Sequence, residues 1–219
     1  MKKKYIFALI VSSMVYSHAW AAVVTDGEFS MWNFNNIGNA SISQEVTGGN
    51  PDERLNITTV TGITAYGLGI KSDYSTNMQL AGTTFEFQLD VLSGPGAHGE
   101  GQRIHLLVEQ DSNIYGYDLG ITGYPLSWDI FSFQGTFNEN NFVLMSGAGP
   151  VNPDFSGGVD TFFGFSGSNT NSGTLTQYYD NYSLGITPVP IAPAIWLFGS
   201  GIVGIIGFAS RKTIYPSRL

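Results

Sequence analysis

Asp180 opens the run Asp180-Asn-Tyr182-Ser-Leu184-Gly-Ile186, and counting by twos puts its carboxylate on the face of Tyr182, Leu184 and Ile186. That is the side a half-buried strand turns inward, where a carboxylate needs a cation or strong hydrogen-bond donors. Aromatic rings form the second group of candidates. Tyr115 and Tyr117 lie two apart and share one strand face, while Tyr124 and Trp128 belong to a segment with a Gly-Tyr-Pro turn. Such rings offer a flat apolar face and a polar edge, the combination that stacks on a sugar. The same rings pack equally well inside a β-sandwich, and core packing is the reading favoured over stacking on sugar.

Enzymatic constellations are missing. His98 sits in a glycine loop and His105 on a strand, without the His-Glu-x-x-His spacing of a zinc site. Gly164-Phe-Ser166-Gly167 lacks the spacing of a nucleophile elbow. Glu86 and Asp90 could be paired as glycosidase carboxylates, but they fall on the polar parity of one strand, where acids are normally solvated. The loop from Gly94 to Gly101 has neither the lysine nor the following helix of a phosphate-binding loop. The chain has no Cys, which removes thiol nucleophiles, disulfides and thiolate metal sites. The expectation is a protein without catalytic residues. A lyase or hydrolase acting on carbohydrate is the competing reading.

The elements that must position these residues are strands. Phe85, Phe87, Leu89 and Val91 alternate with Glu86, Gln88 and Asp90, and Ile104, Leu106 and Val108 alternate with His105, Leu107 and Glu109. Further runs cover 114–121, 129–133, 142–145, 161–165 and 178–186, with glycine-rich turns between them. The 219 residues include 28 Gly and are only 12% charged but 14% aromatic, too aromatic for a disordered linker. This pattern predicts an all-β, antiparallel sandwich.

Charge is segregated along the chain. Six of the nine basic residues lie in the first four or last nine positions, and all 17 acids lie between Asp26 and Asp180. A centre this acidic repels phosphate backbones, so no nucleic-acid partner is expected. Lys2-Lys3-Lys4, the apolar run from Tyr5 to Val15 and the small-x-small site Ala19-Trp20-Ala21 make a secretory signal over residues 1–21, with Ala22 as the mature N-terminus. Export machinery of the Sec type and signal peptidase are the implied partners. At the other end, residues 191–210 carry no charge and are closed by Arg211-Lys212. As a helix they span about 30 Å, one bilayer, with 213–219 left as a cytoplasmic tail. The exported domain then occupies 22–187, sized for a single domain.

The tail Val189-Pro190-Ile-Ala-Pro193-Ala-Ile-Trp196-Leu-Phe198-Gly199-Ser-Gly, followed by an apolar stretch and Arg211-Lys212, resembles a PEP-CTERM sorting signal over residues 188–212. It is closest to the subclass with a Val-Pro-x-x-Pro start and Trp-Leu-Phe-Gly-Ser-Gly. The Glu of the namesake Pro-Glu-Pro is replaced by Ile191-Ala192, and the residues after the basic pair are longer than usual. The resemblance implies a Gram-negative protein delivered to the inner membrane with its domain in the periplasm. An exosortase then cleaves it and passes it to the cell surface or extracellular matrix, alongside exopolysaccharide and biofilm production.

The domain's two ends carry a second resemblance. Val24-Thr-Asp26-Gly-Glu28-Phe29-Ser-Met-Trp32 and Tyr178-Tyr-Asp180-Asn-Tyr-Ser-Leu184 resemble the opening and closing strands of galactose-binding-like jelly rolls. This implies a jelly-roll-like sandwich. It also implies a structural Ca²⁺ held by Glu28 and Asp180, with Asp26 as an alternate; the competing reading is a carboxylate capped by turn amides. Together these readings predict a non-enzymatic surface or matrix protein that contacts exopolysaccharide through Tyr115, Tyr117 and Trp128, or a structural domain without ligand.

Overall fold

The computed structural model describes residues 22–26, 29, 31–50, 52–59, 65–94, 101–169 and 173–187. The expected leader (1–21), sorting signal (188–212) and tail (213–219) lie outside the described residues, as do His98 and Glu28. Within the described residues no helix is long and apolar enough to cross a membrane.

The described residues hold twelve strands in two six-stranded sheets, and every pairing is antiparallel. In chain order they are β1 (Ala22–Asp26), β2 (Trp32–Ile37), β3 (Ala40–Glu45), β4 (Arg54–Thr59), β5 (Ala65–Thr76), β6 (Thr84–Ser93), β7 (Arg103–Gln110), β8 (Asn113–Ile121), β9 (Asp129–Thr136), β10 (Val143–Ser146), β11 (Thr161–Asn169) and β12 (Leu175–Thr187). One sheet runs β3-β4-β12-β6-β9, and the other β10-β8-β7-β11-β5-β2. β12 is long enough to serve two strands on one flank: β4 pairs along Leu175–Tyr179 and β1 along Tyr182–Ile186. The first described strand therefore lies beside the last, which brings the two ends of the domain together. The fold is an all-β antiparallel sandwich.

The core lies where the alternation placed it. Phe85, Phe87, Leu89 and Val91 of β6 and Ile104, Leu106 and Val108 of β7 are all buried in one cluster between the sheets. Phe137, Phe142 and Phe155 close one end of it, each in edge-on contact with another ring of the three except the stacked pair Phe137–Phe142. A smaller cluster of Leu68, Ile70 and Leu107 occupies the opposite face of the second sheet, which is apolar on both sides. The β7–β8 hairpin turns on Asp111 and Ser112, both with positive φ (49° and 64°), the geometry whose twist matches the flanking strands.

β11 crosses β5 at a register shift, and there the backbones approach closely. A Cβ on Gly164 would sit 1.8 Å from the Gly69 carbonyl oxygen. Neither backbone can move without breaking the ladder, so Gly164→Ala is expected to cost about 3 kcal/mol or to prevent soluble folding. Gly185→Ala, whose nearest neighbour would be 3.9 Å away, is expected to leave the urea midpoint nearly unchanged. Equal midpoints for the two variants would contradict the close approach.

Candidate functional site

The segment from Thr122 to Trp128 joins β8 to β9 at one end of the sandwich. Its base is fixed by a buried polar lattice. The Gln177 side-chain oxygen accepts from the Gln102 backbone N–H (3.2 Å) and the Thr122 hydroxyl (2.8 Å), while its amide nitrogen donates to the Gly123 carbonyl (3.0 Å). The Tyr179 hydroxyl lies between the side-chain oxygens of Gln102 and Gln177. The Gln102 amide nitrogen donates onward to the Ile57 carbonyl (3.2 Å) and the Thr59 hydroxyl (3.3 Å). Gln102, Gln177, Tyr179 and Thr59 are fully buried, so each of these bonds replaces lost hydration. Burial also pushes the Tyr179 hydroxyl well above the ordinary phenol range.

Two further contacts hold the segment. The Ser93 N–H donates to the Pro125 carbonyl (2.9 Å), tying the segment to the end of β6. Gly101 has φ +93°, and a side chain there would drive into the Gly123 carbonyl 2.0 Å away. From this fixed base the chain presents Leu126 at 90% exposure and the half-buried rings of Tyr124 and Trp128. No described ring packs on Trp128. The Tyr124 hydroxyl is buried without a partner among the described residues, and its burial raises it above the usual phenol range.

The other two rings expected to stack on sugar are elsewhere. Tyr115 is 2% exposed and belongs to the core. Tyr117 is half-buried between Phe85, Phe133 and Phe142. Both share the inward face with Leu119, so their ring faces are spent on packing rather than on a ligand. Only an edge of Tyr115 lines an open cleft of about 290 Å³ with Gln110, Asp111, Asn113, Pro150, Asn152, Asp154 and Val159. That cleft lies by the β7–β8 hairpin, at the far end of β8 from Trp128. Its Gln110 and Asn113 amides are already bonded to the backbone of Asp154, Ala148 and Gly149.

Asp180 is buried (1% exposed), as expected, but it does not face the core. A bulge between Asp180 and Ser183, with Asn181 at φ +49°, reverses the alternation: Tyr179 and Tyr182 point inward, and Asp180 points out with Tyr178. The segment between β3 and β4 folds over it. The Asn50 and Asn181 backbone N–H groups donate to its two oxygens, the latter at 2.7 Å. Across the ladder, Asp90 accepts from the side-chain amides of Asn50 (3.0 Å) and Asn181 (2.9 Å). Burial raises the Asp180 carboxyl above its ordinary value, the two backbone donors oppose this, and the charges of Asp90 and Asp52 add to it.

Asp180 and Asp90 fit the amide-capped arrangement, while Glu28, the other ligand expected for calcium, lies outside the described residues. Asp180 and Asp90 direct their oxygens at amide donors, and no group of three His, Cys, Asp or Glu side chains suited to a metal occurs among the described residues. Asp26 ends β1 opposite Tyr182, close to this point in the register. Chelation of divalent ions is expected to leave the melting temperature of the chain unchanged. A drop that added calcium reverses would restore the calcium reading.

On the same strand as Asp180, Tyr178 is covered by the guanidinium of Arg54 from the neighbouring β4, 3.7 Å above the ring centre, so its face is not free. Arg54 in turn pairs with Glu45, and that pairing, with a bond from Asn56, holds the Glu45 carboxyl below its usual value. His105, on the outer face of the second sheet, bonds through Nδ1 to the Ser166 hydroxyl (3.1 Å). Burial lowers it to about 4, with Asp118 opposing. A base depressed in the folded state costs stability as pH falls from its unfolded value of about 6.5 towards 4. His105→Gln is expected to flatten the decline in urea midpoint over that window; an unchanged slope would contradict this assignment.

No protein-family model and no curated protein matches the chain. Among solved structures, similarity extends to a family 11 carbohydrate-binding module from Clostridium thermocellum in complex with a beta-1,3-1,4-mixed-linked tetrasaccharide, with 14% identity, 74% of this chain and 94% of that chain covered, and a TM-score of 0.45. It extends also to the CBM22-1 xylan-binding domain from Paenibacillus barcinonensis (10%, 76% and 94%, 0.46) and to a family 29 carbohydrate-binding module (11%, 76% and 89%, 0.42). Likenesses at this level carry no weight for ligand or activity.

Proposed function

We propose that the chain is a non-enzymatic, exported surface or matrix protein whose sandwich holds extracellular polysaccharide at the Trp128 end. The observation that carries the binding part is Trp128 itself: the one ring of the expected three that stays out of the core, on a segment anchored by buried hydrogen bonds. A ring on a stiff base can stack on a sugar with little ordering cost.

Delivery rests on the sequence. The leader with its Ala19-Trp-Ala21 site, and Val189 to Lys212 with their likeness to an exosortase signal, support export, an inner-membrane anchor in the lipid bilayer and release to the surface. Mass spectrometry of the protein from cells with and without the exosortase tests this part. A chain starting at Ala22 and losing its tail near Val189–Ala194 only when the enzyme is present supports it. Residues 191–219 retained in both strains would reduce it to a membrane anchor.

A further inference from the structure

β9 ends its sheet and, among the described residues, pairs only with β6, in a register unbroken from Thr84–Thr136 to Val91–Asp129. Sheet edges are normally blunted by proline, lysine, a bulge or shortness. Asp129-Ile-Phe-Ser-Phe-Gln-Gly-Thr136 has none of these: eight residues, no proline, no base, no register shift and one acid at its start. Of the other path ends, β10 has four residues and a shifted register, while β2 and β3 are also unbroken but shorter, at six residues each.

β9 is also incompletely buried. None of its residues is fully covered, and Ile130 is 63% exposed on the outer face. Phe131 and Phe133 pack inward against Phe87 and Phe85 yet remain half-exposed. The adjacent β6 buries all four of its inward residues.

We propose that β9 is the interface through which two copies of this chain join, edge to edge and antiparallel, into one continuous sheet. A second copy fits because the strand complements itself. With Ser132 on the two-fold axis, every side chain meets one from the same face: Phe131 lies across from the partner's Phe133, and Ile130 from the partner's Gln134. Asp129 then faces the partner's Gly135, not a second acid. In a chain of net charge −8, this acid-poor strand is a place where two copies can meet with little repulsion.

Sedimentation equilibrium of the full chain in mild detergent tests the pairing. The wild type is expected to be dimeric. Ser132→Lys and Ser132→Glu, each placing like charges on the axis, are expected to be monomeric with unchanged circular dichroism. An equimolar mixture of the two is expected to regain the dimer. Ser41→Lys, on the exposed side of the other edge strand β3, is expected to have no effect. A monomeric wild type, a dimer indifferent to Ser132→Lys, or a mixture that stays monomeric would each overturn the proposal.

Discussion

Gln177→Leu is expected to lower the melting temperature of the sandwich by about 10 °C, corresponding to a loss of about 3–5 kcal/mol. Leucine keeps most of the volume but none of the polarity. The Gln102 N–H, the hydroxyls of Thr122 and Tyr179, and the Gly123 carbonyl would all lose a partner inside the protein. An abandoned buried donor or acceptor costs about 1–3 kcal/mol, and leucine recovers only part of that through apolar burial. Gln177→Glu keeps the acceptor but removes the donor to Gly123 and buries a carboxylate. It is expected to be destabilising in a pH-dependent way, worst at high pH where the carboxylate is charged. Differential scanning calorimetry of the three proteins decides the matter. A Leu variant melting with the wild type would show that the lattice does not hold the Thr122–Trp128 segment.

Trp128→Ala is expected to weaken polysaccharide binding at least tenfold while the melting temperature changes little. The separation of the two effects follows from the position of the ring. It is half-buried, no described aromatic packs on it, and the segment's hold on the domain runs through Thr122, Gly123 and Pro125. Truncating a central aromatic contact typically costs about 2 kcal/mol or more of binding. Trp128→Phe is expected to keep most of the affinity, because it keeps a flat ring. Tyr117→Ala is expected to do the reverse, destabilising the core between Phe85, Phe133 and Phe142. Isothermal titration with exopolysaccharide, paired with thermal melts, separates the outcomes. Binding indifferent to Trp128→Ala and lost on changing Asp111 or Asn152 would move the site to the cleft at the other hairpin.

Several of these assignments could be read from residue order, and others could not. β6 is legible because a strand with one wet face writes an apolar residue at every second position, and β7, buried on both faces from Ile104 to Val108, is legible because His105 and Glu109 still mark the second parity. β2, β4 and β5 carry no such record. In Trp32-Asn-Phe-Asn-Asn-Ile37 the edge position wets both faces, and in β5 Gly67 and Gly69 stand where inward side chains would otherwise mark the period. For Tyr115 and Tyr117 the shared face is the inner one, in line with core packing rather than with stacking on sugar; Leu119, two residues on, carries the apolar mark of that side.

Asp180 illustrates a different limit. Parity counts backwards from Ile186 only while the ladder is regular, and one extra residue at Asn181 reverses it. The sequence does hold a hint, since Asn tolerates positive φ better than most residues, but only the pairing with Asp90 reveals the bulge. The polar lattice carries a clearer signal. Gln177 shares the inward parity of Leu175 and Tyr179, and a glutamine at a core position implies partners to satisfy it. Those partners, Gln102, Thr122 and Gly123, are remote in sequence and had no pattern to connect them.

Polysaccharide retention is most directly measured by affinity electrophoresis of the wild-type chain in gels cast with exopolysaccharide from the producing cells. Migration slowed in proportion to polysaccharide concentration, and not by an unrelated glucan, is the expected result. Identical mobility with and without the polysaccharide would contradict binding and leave the sandwich a structural unit.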